Sequence, residues 1–162
     1  MSQGETVGPV DQAVGYVLKQ AATALRAAMD TVLRPLELTV AQYACLEVLD
    51  QRPGMSSSEL ARATFVTRQS MGSVLQGLAR RGLLTRAPAA AHGKALPTEL
   101  TDAGRARLRA ASTAVRAIEE QMLEPLTPHA QQRLRGDLAA CTAALTGTSA
   151  GTGRGEVTPA ML

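Results

Sequence analysis

The chain has 162 residues, 45% of them hydrophobic, and a formal net charge of +3, which fits one domain of ordinary size with a real core. Tyr16, Tyr43 and Phe65 are the only aromatic residues, so the core must be Leu, Ala, Val and Met, a composition that suits helices and argues against a β-sandwich. No apolar run reaches the ~18 residues of a membrane span, and MSQGETVGPVDQ lacks the basic and apolar regions of a signal peptide, so the cytoplasm is expected.

Residues 1–10 read as a flexible lead. Asp11 can cap a first helix running to about Arg34, with Val14, Val17, Leu18, Leu25 and Leu33 near one stripe. Pro35 stops it. TVAQ (Thr39–Gln42) has the capping-box pattern and opens a second helix to about Asp50, with Tyr43, Leu46 and Leu49 inward. SSSE (Ser56–Glu59) is a second capping box, opening a short helix to about Ala63. Thr67 can cap a helix over 68–80 whose apolar stripe is Met71, Val74, Leu75 and Leu78. Gly82 closes that helix, and Arg80 and Arg81 suit its negative dipole end.

Leu83–Arg86 and Leu96–Leu100 read as two strands of a hairpin, with Pro97 demoting the second to an edge. Thr101 caps a long helix to about Leu123, and Pro125 breaks it. Thr127 caps another, with Pro128 at its favoured first position. Residues 147–162 are rich in Gly, Thr and Ser and read as a disordered tail. The fold class is therefore mostly α with a small β-hairpin wing. A winged helix-turn-helix lobe over 37–100 is flanked by long helices over 11–36 and 101–146. Those long helices have little to bury against in so small a core, so their apolar stripes suggest a homodimer.

Charge is uneven along the chain. Residues 56–109 hold nine basic and three acidic side chains, a net of +6, so the remainder carries −3. A basic middle of this kind fits a polyanion, or else a solvated charged face. FVTRQSMGSVLQGLARRGLLTR (Phe65–Arg86) has four arginines and no acid. Two glycines, Gly72 and Gly77, sit inside its helix, each at a cost of about 1 kcal/mol relative to alanine. Gly72 would keep a groove-facing surface low; close packing against a neighbouring helix is the alternative, and the favoured one for Gly77.

The run LELTVAQYACLEVLDQRPGMSSSELARATFVTRQSMGSVLQGLARRGLLTR (Leu36–Arg86), followed by LTDAG (Leu100–Gly104), resembles the MarR family of bacterial transcriptional regulators. The likeness covers roughly residues 12–146. Its most specific parts are the LT..Q opening, the SSSELA helix, the LARRGLL exit and the LT..G re-entry. The resemblance implies a homodimer with two winged lobes on a pseudo-palindromic operator, acting most often as a repressor and released by a small ligand or an oxidant. In the family the wing tip commonly carries an Asp that orients an Arg. Here the matching residues are His92, Gly93 and Lys94, so the wing would offer a point charge rather than a planar fork.

The reading face would comprise Thr67, Arg68, Gln69, Ser70, Ser73 and Gln76. Arg matches guanine O6 and N7, and Gln matches adenine N6 and N7. Ser and Thr suit phosphates or tolerant base contacts. Arg86 at the wing base and Lys94 at its tip would meet the backbone or a groove. Arg105, Arg107 and Arg109 fit solvation or ion pairs to a partner subunit better than DNA. The resemblance implies an effector pocket between the dimer helices and the lobe, for a small aromatic or lipophilic molecule. Tyr16 and Tyr43 are its candidates, since a phenol offers apolar area and one hydrogen bond.

Rival readings are narrow. Cys45 and Cys141 are far apart for a structural bridge, and each is expected to pack as a small buried hydrophobe. A redox-sensing regulator would use Cys45, although burial dulls a thiol. His92 and His129 have no carboxylate cluster beside them in sequence. No CxxC, HExxH, GxSxG or phosphate-cradling loop occurs, so neither catalysis nor a metal or other cofactor is expected. A winged helix used as a protein-interaction module is the remaining alternative.

Overall fold

A computed structural model describes residues 8–86 and 98–147. In chain order the elements are α1 (Val14–Leu33), α2 (Val40–Gln51), α3 (Ser57–Ala63), α4 (Arg68–Arg80), β1 (Leu84–Arg86), β2 (Thr98–Leu100), α5 (Asp102–Leu123) and α6 (Pro128–Thr146). Two short 3₁₀ turns, Val10–Gln12 and Arg34–Leu36, bracket α1. The strands pair antiparallel, with Leu84 opposite Leu100 and Arg86 opposite Thr98. Residues 1–7 of the expected lead over 1–10, the wing tip at His92, Gly93 and Lys94, the strand start at Leu96 and Pro97, and residues 148–162 of the expected tail over 147–162 lie outside the described residues.

Hydroxyl caps set most of the helix starts. Thr39, Ser56, Thr67, Thr101 and Thr127 each accept a hydrogen bond from the backbone N–H three residues on. At Thr39 and Ser56 the box is complete, with Gln42 and Glu59 accepting from the cap backbone in return. The Ser56 hydroxyl and backbone hydrogen bonds hold the Glu59 carboxyl below its usual range. The start of α1 corrects the sequence reading: Asp11 lies in the first 3₁₀ turn, and Ala13 precedes the helix with no side-chain cap. Chain entry there is closed by backbone bonds alone, Gln12 N–H to the Pro9 carbonyl and Ala13 N–H to that of Val10.

Three element ends share one closing pattern, in which the last two N–H groups fold back on the final turn as in a Schellman motif. After the second 3₁₀ turn, Glu37 and Leu38 donate to the carbonyls of Arg34 and Leu33; after α3, Phe65 and Val66 donate to those of Arg62 and Ala61; after α4, Gly82 and Leu83 donate to those of Ala79 and Leu78. The pivot residue must then adopt positive φ. Gly82 (φ 68°) does so without strain, whereas Glu37 and Phe65 (both φ 55°) carry a side chain there.

The core joins Leu46, Leu49, Leu60, Met71, Leu75 and Leu78 of the lobe to Met29 and Leu33 of α1 and Leu108 and Ala111 of α5. The long helices are thus only half outside the lobe: the end of α1 and the start of α5 bury their apolar residues in it. The early part of α1 leaves Val14, Val17 and Leu18 exposed, and no residue of α6 is buried, so Leu134, Leu138 and Leu145 face solvent. This also corrects the reading of Cys141, which is exposed on α6, while Cys45 is buried as expected.

The tightest join is at the start of α5. The Thr101 hydroxyl donates to the Gly82 carbonyl at 2.6 Å and accepts from Gly104 N–H at 3.0 Å. Thr101 N–H donates to the Leu83 carbonyl at 3.2 Å. A β-carbon on Gly104 would stand 1.9 Å from that same carbonyl oxygen. Because the obstacle is backbone, Gly104→Ala should destabilise the protein by about 1–3 kcal/mol. Gly136→Ala on α6, with open space around it, should instead stabilise by about 0.5–1 kcal/mol. Urea unfolding followed by circular dichroism checks both; equal midpoints for the two variants would contradict this packing.

Candidate nucleic-acid interface

Helix α4 has two faces of opposite chemistry. Met71, Leu75 and Leu78 are fully buried, and Val74 is half-buried beside them. Arg68, Gln69, Ser70, Ser73 and Gln76 are exposed on the other side. At the start of the helix the Thr67 hydroxyl accepts from Ser70 N–H at 3.1 Å and lies 2.9 Å from the Ser70 hydroxyl. Their cap leaves the N–H groups of the first turn pointing outward, where an anion is favoured.

The two glycines separate as their surroundings differ. A β-carbon on Gly72 would meet nothing within 4 Å, whereas one on Gly77 would touch the Gln42 side chain at 3.5 Å. Close packing therefore does not account for Gly72 among the described residues. Gly77 is half-buried and faces the first turn of α2.

The arginines of the basic middle divide likewise. Arg81 donates to the Glu37 carbonyl and approaches its carboxylate at 3.6 Å. Arg107 donates to the Leu36 carbonyl and comes within 3.5 Å of the same carboxylate. Arg105 pairs with Asp102 at 3.1 Å. Arg81 and Arg107 thus hold the corner between α1 and α2 against the end of α4 and the start of α5, roles that sequence alone had given to the helix dipole and to solvent or a partner. Arg62, Arg68 and Arg80 remain exposed on α3 and α4. Arg86 ends β1, and Lys94 lies outside the described residues.

A cavity of about 630 Å³ opens where α1 passes the start of α4. Leu25, Met29, Val40 and Ala44 give it an apolar lining, to which Arg26 also contributes. Phe65, Thr67 and Ser70 close the side next to the recognition helix. Neither tyrosine lines it. Tyr16 borders a shallower hollow of about 430 Å³ on the exposed face of α1. Tyr43 is buried in the core beside Ser112 and Glu47; burial, with the Glu47 carboxylate, pushes its phenol above the usual range, against the pull of the Ser112 hydrogen bond. Among the described residues, no group of three His, Cys, Asp or Glu side chains could hold a metal ion, and no helix is long and apolar enough to cross a membrane.

A short capped helix, a tight turn, an amphipathic helix with Arg and Gln outward and an antiparallel hairpin together define a winged helix-turn-helix protein. Residues 36–95 match the model of the MarR family. The HTH-type transcriptional repressor Rv2887 of Mycobacterium tuberculosis is 38% identical over 125 residues, 77% of this chain and 90% of that protein. The structure of Rv2887 in complex with DNA superposes with a TM-score of 0.68 at 37% identity, covering 81% of this chain and 98% of that one. The structure of Rv2887 with salicylic acid gives 0.66 at 37% identity, over 81% and 97%. The chain belongs to the MarR family and is a DNA-binding transcriptional regulator.

Two features of the site were invisible from the residues alone. Arg26 carries no motif, and Phe65 reads as an ordinary apolar residue until its backbone is seen in the left-handed region. Gly72→Ala should raise the midpoint of unfolding, since alanine is the better helix former by about 1 kcal/mol. It should weaken affinity for a cognate duplex roughly tenfold if the glycine seats the helix in the groove, a loss of about 1.4 kcal/mol. Unchanged affinity in a titration would sink that role.

Proposed function

We propose that the protein is a cytoplasmic, homodimeric repressor that binds a pseudo-palindromic operator and leaves it when a small aromatic acid occupies the cavity beside α4. The exposed face of Arg68, Gln69, Ser73 and Gln76 opposite the buried stripe carries the reading. Arg68 and Gln69 sit in the first turn of α4, where a recognition helix meets base edges. Thr67 and Ser70 stand at the same end for a phosphate, and Arg86 and Lys94 would extend the contact along the wing. Two lobes joined by the exposed apolar faces of α1 and α6 would read two half-sites, as symmetric dimers do.

The cavity's apolar lining and the presence of Arg26 in it suit a planar acid. The salicylic acid complex of Rv2887 supports that ligand class for this chain. Tyr16 and Tyr43 would then act outside the ligand's own contacts, Tyr43 as a core residue.

The test is a fluorescence titration of the duplex flanking the protein's own gene, across a salt series, with random duplex as competitor. A specific complex near 10⁻⁸ M that weakens steeply with salt is expected. Arg68→Ala should cost about 1–3 kcal/mol of specific binding. Binding indifferent to both sequence and Arg68 would favour a protein-interaction module instead. In size-exclusion chromatography, Leu134→Glu combined with Leu138→Glu should convert dimer to monomer; a monomeric wild type would refute the dimer.

A further inference from the structure

One exposed row of α4 sets two long polar side chains on either side of an empty place. Arg68, Gly72 and Gln76 are spaced four residues apart, so they lie along one row of the helix surface. All three are exposed, as are Gln69 and Ser73 beside them. A β-carbon on Gly72 would meet nothing within 4 Å. Openness alone does not single this glycine out, since Gly15 in α1 and Gly136 in α6 are equally open. Its position does: of these three, only Gly72 lies between an arginine and a glutamine on the helix that carries the reading face. Alanine would be the better helix former there, so the missing methyl group asks for a reason outside the fold.

The edges of base pairs supply one. At ~1.5 Å of rise per residue, Arg68 and Gln76 stand about 12 Å apart along the helix axis, or roughly three to four base steps of about 3.4 Å. Arginine matches guanine O6 and N7, and glutamine matches adenine N6 and N7. Between the two, a base would be met by backbone and not by a side chain. Of the four major-groove edges, only that of thymine carries an apolar group, its C5 methyl. Removing a methyl group from water is favourable wherever a surface has room for it. We propose that Gly72 is a specificity-determining residue: the hollow over its α-carbon receives the methyl group of one thymine in each half-site, between the bases met by Arg68 and Gln76. The proposal rests on the reading of α4 as the recognition helix. It adds a base preference to the seating of that helix, because a low surface alone is indifferent to the base that lies over it.

The experiment uses the full chain and the duplex that it enriches from a random pool. Each thymine is replaced in turn by uracil, symmetrically in the two half-sites, which removes the methyl group and keeps the pairing. Fluorescence titration measures wild type and Gly72→Ala on every duplex, and a thermal melt checks that the variant is folded. On the thymine duplex Gly72→Ala should bind about tenfold more weakly than wild type, the loss already expected of it. At one position uracil should weaken wild type about fourfold per half-site, the worth of one buried methyl group. The same uracil should strengthen Gly72→Ala and bring it within about threefold of wild type, because the alanine methyl then takes the place that the thymine methyl left. At the other thymines uracil should change both proteins alike. If Gly72→Ala is weaker by one constant factor on every duplex, the glycine only lowers the helix surface and the proposal is overturned. It is overturned as well if no uracil weakens wild type, or if Gly72→Ala binds like wild type. In each of those cases Arg68→Ala still loses affinity, and the recognition-helix reading stands. If Arg68→Ala keeps full affinity, or if wild type enriches no sequence, that reading and this role fail together.

Discussion

At Gly104 the backbone of α5 runs against the backbone leaving the recognition helix, so closely that even a methyl group has no room. Thr101 ties the same spot from both sides, donating to the Gly82 carbonyl while capping its own helix. The direction of α5 is therefore set by the exit of α4, not by a flexible linker. Since α5 packs along α1 and buries Leu108 and Ala111 in the shared core, the long helices and the reading helix form one body. A displacement at one end of α5 must be felt at the other, because close-packed interiors transmit strain rather than absorb it.

The corner between α1 and α2 gives that body a second brace. Arg81 from the end of α4 and Arg107 from α5 both converge on Leu36 and Glu37. The carboxylate itself is well exposed, so its ion pairs contribute little. The hydrogen bonds from guanidinium to carbonyl matter more, because they satisfy backbone groups freed by the turn. The left-handed pivot at Glu37 is thus compensated locally. At the equivalent pivot, Phe65, no side-chain brace of this kind occurs among the described residues.

Much of the architecture was legible in the residues. Hydroxyl caps at Thr39, Ser56, Thr67, Thr101 and Thr127, and the Met71–Leu78 stripe, are local signals that propensity and periodicity expose directly. The exposed face of α4 followed from the stripe, since its residues are those left over. Asp11 misled because an acidic residue before an apolar run fits a cap or a 3₁₀ turn equally well. Arg81 and Arg107 misled because their partners are 44 and 70 positions away in sequence. The cavity was hidden for the same reason: its walls come from α1, α2 and the turn before α4, and no short window contains them.

Helix α6 begins with a hydroxyl cap and a proline at its first turn, yet buries none of its residues. An isolated helix of this length is marginal in water, because most helical stability comes from packing an apolar face. Packing within the described residues therefore contributes little to α6, and any contribution from a second copy would follow mass action. In the proposed dimer, folding of the last helix and association of the subunits would be one equilibrium rather than two, with the lobe able to fold ahead of it.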